Sequence, residues 1–591
     1  MRHTKRLTSL LMLSMLTLSV LSSCAKRETN NQAEKLHMIF DEYWEFQLAS
    51  SPTMATSLGD KRFDSLLNDI TPAGREKHHI ATQNFLNRLK AIDRATLNDT
   101  DKASSDILDI ELSRSLEGEK FKNYTMPISQ QNGPQLFLAN LIQNITWQTE
   151  QDYENYLKRM RAFPDYINQT IENMREGIEL GLVSAKVNIE PVIPQIESFV
   201  VKKVTRSPFY QPIKDNTADL PEETIERLSN SYKVVIQESV IPAFIKLKLF
   251  LRDEYLPVCR EDFGVWSLPD GKERYAYLIK FHTTLPLTPE EITATGMKEL
   301  GRIDKEMHAI MDRVGWDKSL AEFFDFLHTD KQFYYTDKDS LLAGYRRILD
   351  SVKLKVPEIF GILPKADCVV DEMPAYQAKT APTAYYNPPA EDGSRPGRFT
   401  ANTYNLKARP KYEMEALTYH EAIPGHHLQI ATQQELKGLP AFRNHSWFTA
   451  YGEGWALYSE RLPKEIGFYQ DPYSDFGRLI YDAWRACRLV VDCGLHYYKW
   501  DRQKAIDFMK ERFGGTDLNI QSEVDRYIAW PGQALGYKIG QLKILELRQK
   551  AKDALGDKFK LSDFHDQILN QGSLPLPALE KKIDEWIGAV Q

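Results

Sequence analysis

The sequence predicts a mainly α-helical protein with one small β element. Apolar residues recur at helical spacing over most of the chain beyond Leu36, whereas the alternation typical of strands is scarce. Helix starts are also marked, as at Thr288, where a capping threonine precedes a proline and two acidic residues that suit the helix dipole. With 591 residues, of which 42% are hydrophobic, the chain can bury a large core.

The first 24 residues predict a bacterial lipoprotein signal. Basic residues near the start precede an apolar run at 10–20 that is too short to span a membrane, and Leu21-Ser-Ser-Cys24 resembles a lipobox. Cleavage before Cys24 would leave that cysteine as the lipidated first residue, followed by a polar tether at 25–35. We therefore expect a protein held to the membrane by lipid in the bacterial cell envelope, on its periplasmic or extracellular face.

Periodicity and strand-forming residues place the predicted elements along the mature chain. A weak boundary near Gly271 separates an N-terminal helical lobe at 36–270 from a second lobe at 271–591. Three short segments form a predicted β ribbon, at 368–372, 384–387 and 397–404. The predicted helices lie at 36–50, 73–116, 150–182, 221–254, 289–314, 340–354, 411–436, 446–464, 474–500, 501–513 and 536–555.

Charge and motif content argue against several classes of protein. The net charge is −7 and no long basic block occurs, which argues against nucleic acid as a partner. The glycine-rich patterns of dinucleotide-binding and P-loop proteins are absent from the sequence. The cysteines after Cys24 have the spacing of neither a zinc ribbon nor a disulfide framework, so we expect them to be small buried residues.

The most informative stretch is Thr418–Ile430. Its chemistry-bearing residues are His420, Glu421, His426 and His427. The pattern is close to H-E-x-x-H, in which two histidines four residues apart bind zinc and the glutamate acts on a metal-bound water. Here the histidines are six or seven residues apart, so a straight helix could not bring both to one ion. Because Pro424 removes a backbone hydrogen bond and Gly425 permits unusual dihedrals, we predict a bulge that returns His426 to His420 as a second ligand of one zinc ion.

A third ligand is expected on the next helix. Glu453 is flanked by two glycines that allow another backbone to approach closely, and Glu460 lies two turns later on the same face. We predict that Glu453 completes the zinc site and that Glu460 orients an imidazole through its other ring nitrogen. For either glutamate the alternative is a solvated helix face.

Glu421 and His427 are candidates for chemistry beside the metal. Glu421 directly follows His420, so it could take a proton from the attacking water without ligating the metal. Three roles stay open for His427: ligation in place of His426, donation to a developing oxyanion, or support of another ligand.

The helix predicted around Gly477–Trp500 carries an apolar stripe beside a charged one. If the charged stripe faces the metal, Arg478 or Arg485 could clamp a substrate carboxylate, and His496 could donate a hydrogen bond to the transition state. If it faces bulk water, the mixture of charges is ordinary.

Three tyrosines and another arginine complete the candidate substrate contacts. Tyr537 is our first choice for a hydroxyl aimed at the scissile carbonyl, with a core aromatic as the alternative. Arg526 and Tyr527 lie before the same Pro-Gly turn and are expected near the substrate. Tyr385 lies in the β ribbon, whose edge could pair with an extended peptide or could be a purely structural hairpin.

Several motifs together resemble a known bacterial family. They are His420-Glu-Ala-Ile-Pro-Gly-His-His-Leu-Gln429, Glu453-Gly-Trp-Ala-Leu-Tyr-Ser-Glu460 and Pro531-Gly-Gln-Ala-Leu-Gly-Tyr-Lys-Ile-Gly540. They closely resemble the family catalogued as domain of unknown function 885, which is distantly similar to the helical gluzincin peptidases such as angiotensin-converting enzyme and the thermostable carboxypeptidases. This resemblance implies a helical body divided by a deep central cleft, with zinc at its floor. In gluzincins a glutamate ligand follows some two dozen residues after the histidines, and here 453 − 426 = 27 residues separate the two.

These observations predict a zinc-dependent hydrolase of amide bonds, most simply a peptidase acting on short peptides. Two alternatives come from other classes of protein. One is a non-catalytic binding lipoprotein that binds a metal or a peptide. The other is a metal hydrolase of non-peptide amides or esters, such as cell-wall fragments.

Overall fold

The computed structural model describes residues 32–216, 218–379 and 381–591. The predicted signal sequence and the lipidated Cys24 lie outside the described residues. The predicted tether at 25–35 is too long, because residues 32–35 already belong to the first helix. No helix in the described part of the chain combines the length and apolarity needed to cross a membrane.

The prediction of a mainly α-helical fold is confirmed. Helices of the first half are α1 (32–50), α2 (Pro52–Leu58), α3 (Pro72–Lys90), α4 (Asp99–Glu119), α5 (Pro134–Asn140), α6 (Glu150–Leu180), α7 (Lys186–Ile189), α8 (Val192–Phe199), α9 (Gln211–Asp215), α10 (Glu222–Val235), α11 (Ile241–Phe250) and α12 (Gly271–Thr283). Two π-helical turns, Ile236–Val240 and Leu251–Tyr255, interrupt the helix predicted at 221–254. The helix predicted at 73–116 is two helices, because the side chain of Asn98 caps a new start.

The second half continues with helices and the short sheet. Its helices are α13 (Pro289–Arg313), α14 (Leu320–Thr329), α15 (Lys338–Lys355), α16 (Ala375–Ala378), α17 (Met414–Glu421), α18 (His426–Glu435), α19 (Ala441–His445), α20 (Thr449–Arg461), α21 (Pro472–His496), α22 (Arg502–Phe513), α23 (Asp517–Ala529), α24 (Gly536–Leu555), α25 (Leu561–Leu569) and α26 (Leu576–Val590). The predicted cap at Thr288 is present, because its hydroxyl accepts a hydrogen bond from the backbone N–H of Glu291.

The predicted β ribbon is a three-stranded sheet. Its strands are β1 (Cys368–Glu372), β2 (Ala384–Asn387) and β3 (Gly397–Ala401), in the order β1-β3-β2. β3 lies in the middle, parallel to β1 and antiparallel to β2. The third strand ends at Ala401 instead of the predicted 404. β2 is therefore an edge strand of this sheet.

The buried core divides differently from the predicted lobes at 36–270 and 271–591. One apolar cluster joins side chains from 36–112 mainly with others from 300–587. A second cluster lies within 128–259, and a third joins residues of α12 and α13 to residues of α20 and α21. Helices α1, α3 and α4 thus share their core with the region beyond residue 300, while α6 to α11 form a core of their own. The free cysteines Cys259, Cys368, Cys487 and Cys493 are all buried, as predicted.

Helix α20, which carries Glu453, is fixed by a close crossing with α24. Gly454 lies against the backbone of Gly540, and a Cβ on Gly540 would overlap the carbonyl oxygen of Ala450. The predicted role of a glycine beside Glu453, close backbone approach, is thus confirmed at Gly454.

We expect Gly540→Ala to destabilise the protein by about 1–3 kcal/mol or more, because the new methyl group meets backbone atoms that cannot rotate away. Gly588→Ala is the matched control, since a Cβ on Gly588 would meet no atom within 4 Å beyond its own helical turn and alanine favours the helix. Urea unfolding of both variants measures the difference. Equal stability of the two variants would show that the α20–α24 crossing can relax.

Candidate metal centre

A break between two helices brings the histidines of the motif together. α17 ends at Glu421 and α18 begins at His426, with a cis peptide bond between Ile423 and Pro424. The indole N–H of Trp455 and the hydroxyl of Ser459, both on α20, donate to the carbonyl oxygen of Pro424 at 3.0 and 3.2 Å. The predicted bulge within one helix is therefore wrong, because the helix stops and a second one starts.

The predicted ligands His420, His426 and Glu453 form one cluster. A potential ligand atom of each lies within 4.8 Å of the others. The Nε2 atoms of His420 and His426 are 3.8 and 3.3 Å from Glu453 Oε2, and the two imidazole rings are nearly perpendicular. Two atoms that are each about 2.0–2.1 Å from a tetrahedral zinc are about 3.3 Å apart. The distance from His426 to Glu453 matches this value, while the other separations, 3.8 Å and up to 4.8 Å, are longer, so binding an ion would draw the three side chains closer together.

One unsatisfied oxygen supports the same interpretation. Glu453 Oε2 is buried but accepts no hydrogen bond of acceptable geometry, although two imidazole nitrogens face it. A buried carboxylate oxygen without a hydrogen bond is costly unless another group satisfies it. Two imidazoles and one carboxylate, with a cavity beside them, are a donor set typical of catalytic zinc.

The electrostatics of the cluster are dominated by its carboxylates. Burial lowers the pKa of His420, but the carboxylates of Glu453 and Glu460 outweigh burial and raise it to about 9. Burial raises the pKa of Glu453, but the two imidazoles outweigh it and hold this pKa far below its usual range. Glu453 is thus an anion that attracts cations to the cluster.

Glu460 lies behind His420, where the sequence predicts it. Its Oε1 is 2.8 Å from His420 Nδ1 and 3.2 Å from Nη2 of Arg485. A hydrogen bond from Nδ1 to this carboxylate leaves Nε2 free to face Glu453, which is the arrangement that orients metal-binding histidines. His426 has no such support, because its Nδ1 is buried without a hydrogen-bond partner.

A cavity of 380 Å³ opens beside the cluster. It brings together five further residues that the sequence singles out: Tyr385, Glu421, Arg485, Arg526 and Tyr537. The Tyr537 ring stacks on that of His420, with 6.1 Å between centroids. Nε2 of Gln533 is 3.4 Å from both the Tyr537 hydroxyl and Glu453 Oε1.

The structure places His427 and His496 away from the cavity wall. Nδ1 of His427 is 2.9 Å from the hydroxyl of Tyr386, and its Nε2 is 3.0 Å from the carbonyl oxygen of Ala366. Consecutive residues of α18 point about 100° apart, so His426 reaches the cluster while His427 faces the sheet. In His496, Nδ1 accepts from the N–H of Val265, and Nε2 is 3.0 Å from the carbonyl oxygen of Tyr527. Both rings are occupied by structural contacts, and the ligand and oxyanion roles predicted for them are wrong.

Arg478 and Tyr527 are also structural. Arg478 donates from Nε and Nη2 to Asp475, three residues earlier on α21. The hydroxyl of Tyr527 accepts hydrogen bonds from Trp484 and Arg488 at 2.9 and 3.0 Å. Neither residue lines the cavity, so the predicted substrate contacts are wrong for these two.

Sequence reasoning missed Arg488, which lines the cavity. Its guanidinium lies over the Tyr537 ring, 4.3 Å from the centroid, and its Nη1 is buried without a partner. Arg488 and Arg526 share one carboxylate, Glu523, whose Oε2 is 3.0 and 2.9 Å from their Nη2 atoms. This cluster therefore holds one positive charge in excess. The sequence does contain a signal for Arg488, because it follows Arg485 by three residues and therefore lies on the same helix face.

Comparison with known proteins identifies the family of the chain. A model of the family described as "bacterial protein of unknown function (DUF885)" matches residues 52–583. The chain belongs to this family. The resemblance of the sequence motifs to domain of unknown function 885 is thereby confirmed. No curated protein matches the chain.

Two solved structures share the fold of this DUF885 chain. One is described as "the putative lipoprotein from Colwellia psychrerythraea"; it is 30% identical, covers 94% of this chain and 100% of its own, and superposes with a TM-score of 0.89. The other, a "putative lipoprotein of unknown function from Shewanella oneidensis", is 18% identical over 92% of this chain and 99% of its own, with a TM-score of 0.69. The second likeness concerns the fold alone.

Proposed function

We propose that this protein is a zinc-dependent metallopeptidase that hydrolyses amide bonds of short peptides in the bacterial cell envelope. The observation that carries the proposal is the cluster of His420, His426 and Glu453, with Glu421 and Tyr537 on the wall of the same cavity. The resemblance to gluzincin peptidases supports this interpretation, since two histidines, a downstream glutamate and a neighbouring acid recur in them.

His420, His426 and Glu453 would hold the zinc ion, and Glu460 would support His420 from behind. A bound zinc supplies Lewis acidity, which polarises a carbonyl oxygen and acidifies a water. The donor types of these three residues and the unsatisfied Glu453 Oε2 support this choice of ion, which would draw the ligand atoms, now within 4.8 Å of one another, closer together.

Glu421 and Tyr537 perform the proton and charge chemistry. Glu421 accepts a proton from the attacking water as its oxygen bonds to the carbonyl carbon, and returns the proton to the leaving nitrogen as the C–N bond breaks. The Tyr537 hydroxyl donates a hydrogen bond to the carbonyl oxygen that gains charge. Burial and the charge of Glu453 raise the pKa of Tyr537, so its hydroxyl stays protonated and able to donate.

Two features of the cavity suit a peptide. The edge strand β2 contributes Ala384, Tyr385 and Tyr386 to the wall, and an extended backbone can add to such an edge. The excess positive charge of Arg488 and Arg526 suits a carboxylate of the substrate, which guanidinium groups bind with charge-assisted hydrogen bonds. The carboxylate clamp predicted for Arg478 or Arg485 thus moves to Arg488 and Arg526, while Arg485 pairs with Glu460.

The lipid anchor is part of the same proposal. The sequence Leu21-Ser-Ser-Cys24 resembles a lipobox, and the similar Colwellia protein is described as a putative lipoprotein. Anchoring at Cys24 would hold the catalytic body at the surface of a bacterial membrane, where envelope peptides are within reach.

The proposal is tested with the purified mature protein, loaded with zinc and incubated with a library of short peptides, each made both as a free acid and as a carboxamide. We expect cleavage that a chelator abolishes and added zinc restores, with the free acids cleaved faster. Hydrolysis of esters or cell-wall amides without peptide cleavage would favour the non-peptide hydrolase. Tight zinc binding with no hydrolysis of any substrate would overturn the enzymatic proposal and favour a binding lipoprotein.

A further inference from the structure

A second cavity adjoins the 380 Å³ cavity beside His420, His426 and Glu453, which we call the metal-site cavity. The two cavities have different linings. The volume of the second cavity is 270 Å³, and ten residues form its wall. Six of the ten carry carboxamides: Gln130, Gln131, Asn140, Gln143, Asn144 and Asn387. None of the ten is charged, although 27% of the residues of the chain are. We call this cavity the carboxamide pocket.

The carboxamide pocket is continuous with the metal-site cavity. Gln131, Ala381, Pro382 and Tyr385 line both cavities. The edge strand β2 crosses from one to the other, because Tyr385 lies in the shared wall and Asn387 lies in the carboxamide pocket. Residues two apart on a strand point to the same face and are about 7 Å apart. An extended chain paired with β2 beside the metal cluster would therefore run into this pocket.

The wall is built for neutral polar groups. A carboxamide has two donor hydrogens and one acceptor oxygen, so it can bind peptide groups, hydroxyls and other carboxamides. Hydrogen bonds to the protein hold such side chains in place, for example from Asn144 Nδ2 to Ser57 and from Asn387 Nδ2 to Thr400. A charged side chain entering here would lose water without meeting a counter-charge, and an aliphatic one would displace water from the carboxamides without offering a hydrogen bond in return.

We propose that the carboxamide pocket is a specificity subsite that binds an uncharged polar segment of the peptide substrate, such as one with glutamine, asparagine or serine side chains. This inference rests on the proposed peptidase function. A peptide is favoured over a sugar chain because β2 leads into the pocket, and because Tyr385 is the single aromatic among the ten lining residues, which leaves little surface for stacking on a sugar ring.

The test uses the zinc-loaded protein and a peptide set in which glutamine, serine, leucine, lysine or glutamate stands two, three or four residues from the cleaved bond, on either side. At one of these positions we expect kcat/KM to be about tenfold or more higher for glutamine and serine than for leucine, lysine or glutamate. Gln143→Leu should reduce this ratio to near one, and Asn387→Val should reduce it as well. Gln549→Leu, an exposed site on α24, is the matched control and should leave the ratio unchanged.

A second readout is the affinity of the same peptides for the Glu421→Gln variant, measured by calorimetry, where the same order of preference is expected. Cleavage without any preference for polar residues, or a preference that both pocket variants retain, would overturn the inference and leave the peptidase intact. Peptide binding with the expected preference but no cleavage by the native protein would overturn the peptidase and leave the pocket. Oligosaccharides that displace the peptides from the native protein but not from Gln143→Leu would show that a sugar chain is the occupant instead.

Discussion

Replacing Glu421 with glutamine is expected to lower kcat for peptide hydrolysis by about 10²–10⁴-fold, the usual contribution of a general base. Glu421 ends α17 directly after His420, lines the metal-site cavity and is 9% exposed. Glutamine keeps the shape of the side chain but cannot take up the proton of the attacking water. Because Glu421 is outside the three-residue ligand cluster, zinc affinity should change little. Single-turnover kinetics and zinc content together measure both effects.

The control for this variant is Glu273→Gln, which makes the same chemical change at a side chain that is 77% exposed. It should retain full activity. If Glu421→Gln kept more than about a tenth of the native kcat, Glu421 would not be the base. If instead it lost its zinc, Glu421 would belong to the metal site, and the loss of activity would say nothing about proton transfer.

The sequence predicts which residues form the site, but it does not predict how the backbone brings them together. Histidine spacing and the Pro424-Gly425 pair indicate that a straight helix cannot serve, and the glycine beside Glu453 indicates a close crossing. The chemical nature of these residues is enough to say that His420 and His426 must be brought together. It does not say how, because a bulge and a complete break remove the same backbone hydrogen bonds. The choice depends on α20, whose Trp455 and Ser459 bind the freed carbonyl of Pro424.

The direction in which each buried polar side chain points could not be predicted. Arg478, Arg485 and His496 lie on the charged stripe of α21, as periodicity indicates, but only Arg485 lines the cavity, while Arg478 and His496 are buried against neighbouring elements. His496 meets the backbone of Val265 and Tyr527, residues 231 and 31 positions away. Such partners are set by tertiary packing and leave no local signal. The pair Arg485 and Arg488 is a different case. These residues are three positions apart on one helix, and this spacing alone predicts that they share a face.

The difference between local sequence signals and tertiary packing also explains why several helices and the arrangement of the core were not predicted. The helices that were not predicted are α2, α5, α7, α8, α9, α12, α14, α16, α19, α23, α25 and α26. Their apolar stripes are short, and packing rather than propensity stabilises helices of this length. The core that α1, α3 and α4 share with residues beyond 300 joins segments far apart in sequence, so a boundary drawn from composition near Gly271 could not reveal it.

Glu453 and Glu460 allow the metal centre itself to be tested, because the two carboxylates lie on opposite sides of the His420 imidazole. Glu453 faces its Nε2 atom and Glu460 faces its Nδ1 atom. In Glu453→Gln the cluster loses its only anion, and zinc affinity should fall by more than about 100-fold. In Glu460→Gln the amide oxygen can still accept from His420 Nδ1, but the charge that raises imidazole basicity is lost, so we expect a fall of about 10–100-fold. Competition with a chromophoric chelator measures both affinities.

Stability must be followed in parallel, since Glu460 also pairs with the buried Arg485, and its loss leaves that charge without its partner. Thermal unfolding without metal reports this effect, and unfolding with zinc reports the affinity, so the two are separable. Glu273→Gln should alter neither. The order of the two variants is decisive: if Glu453→Gln bound zinc as tightly as the native protein, or more tightly than Glu460→Gln, the ion would lie elsewhere. The orphaned Oε2 of Glu453 would then need another explanation, and the catalytic roles of Glu421 and Tyr537 would lose their reference point.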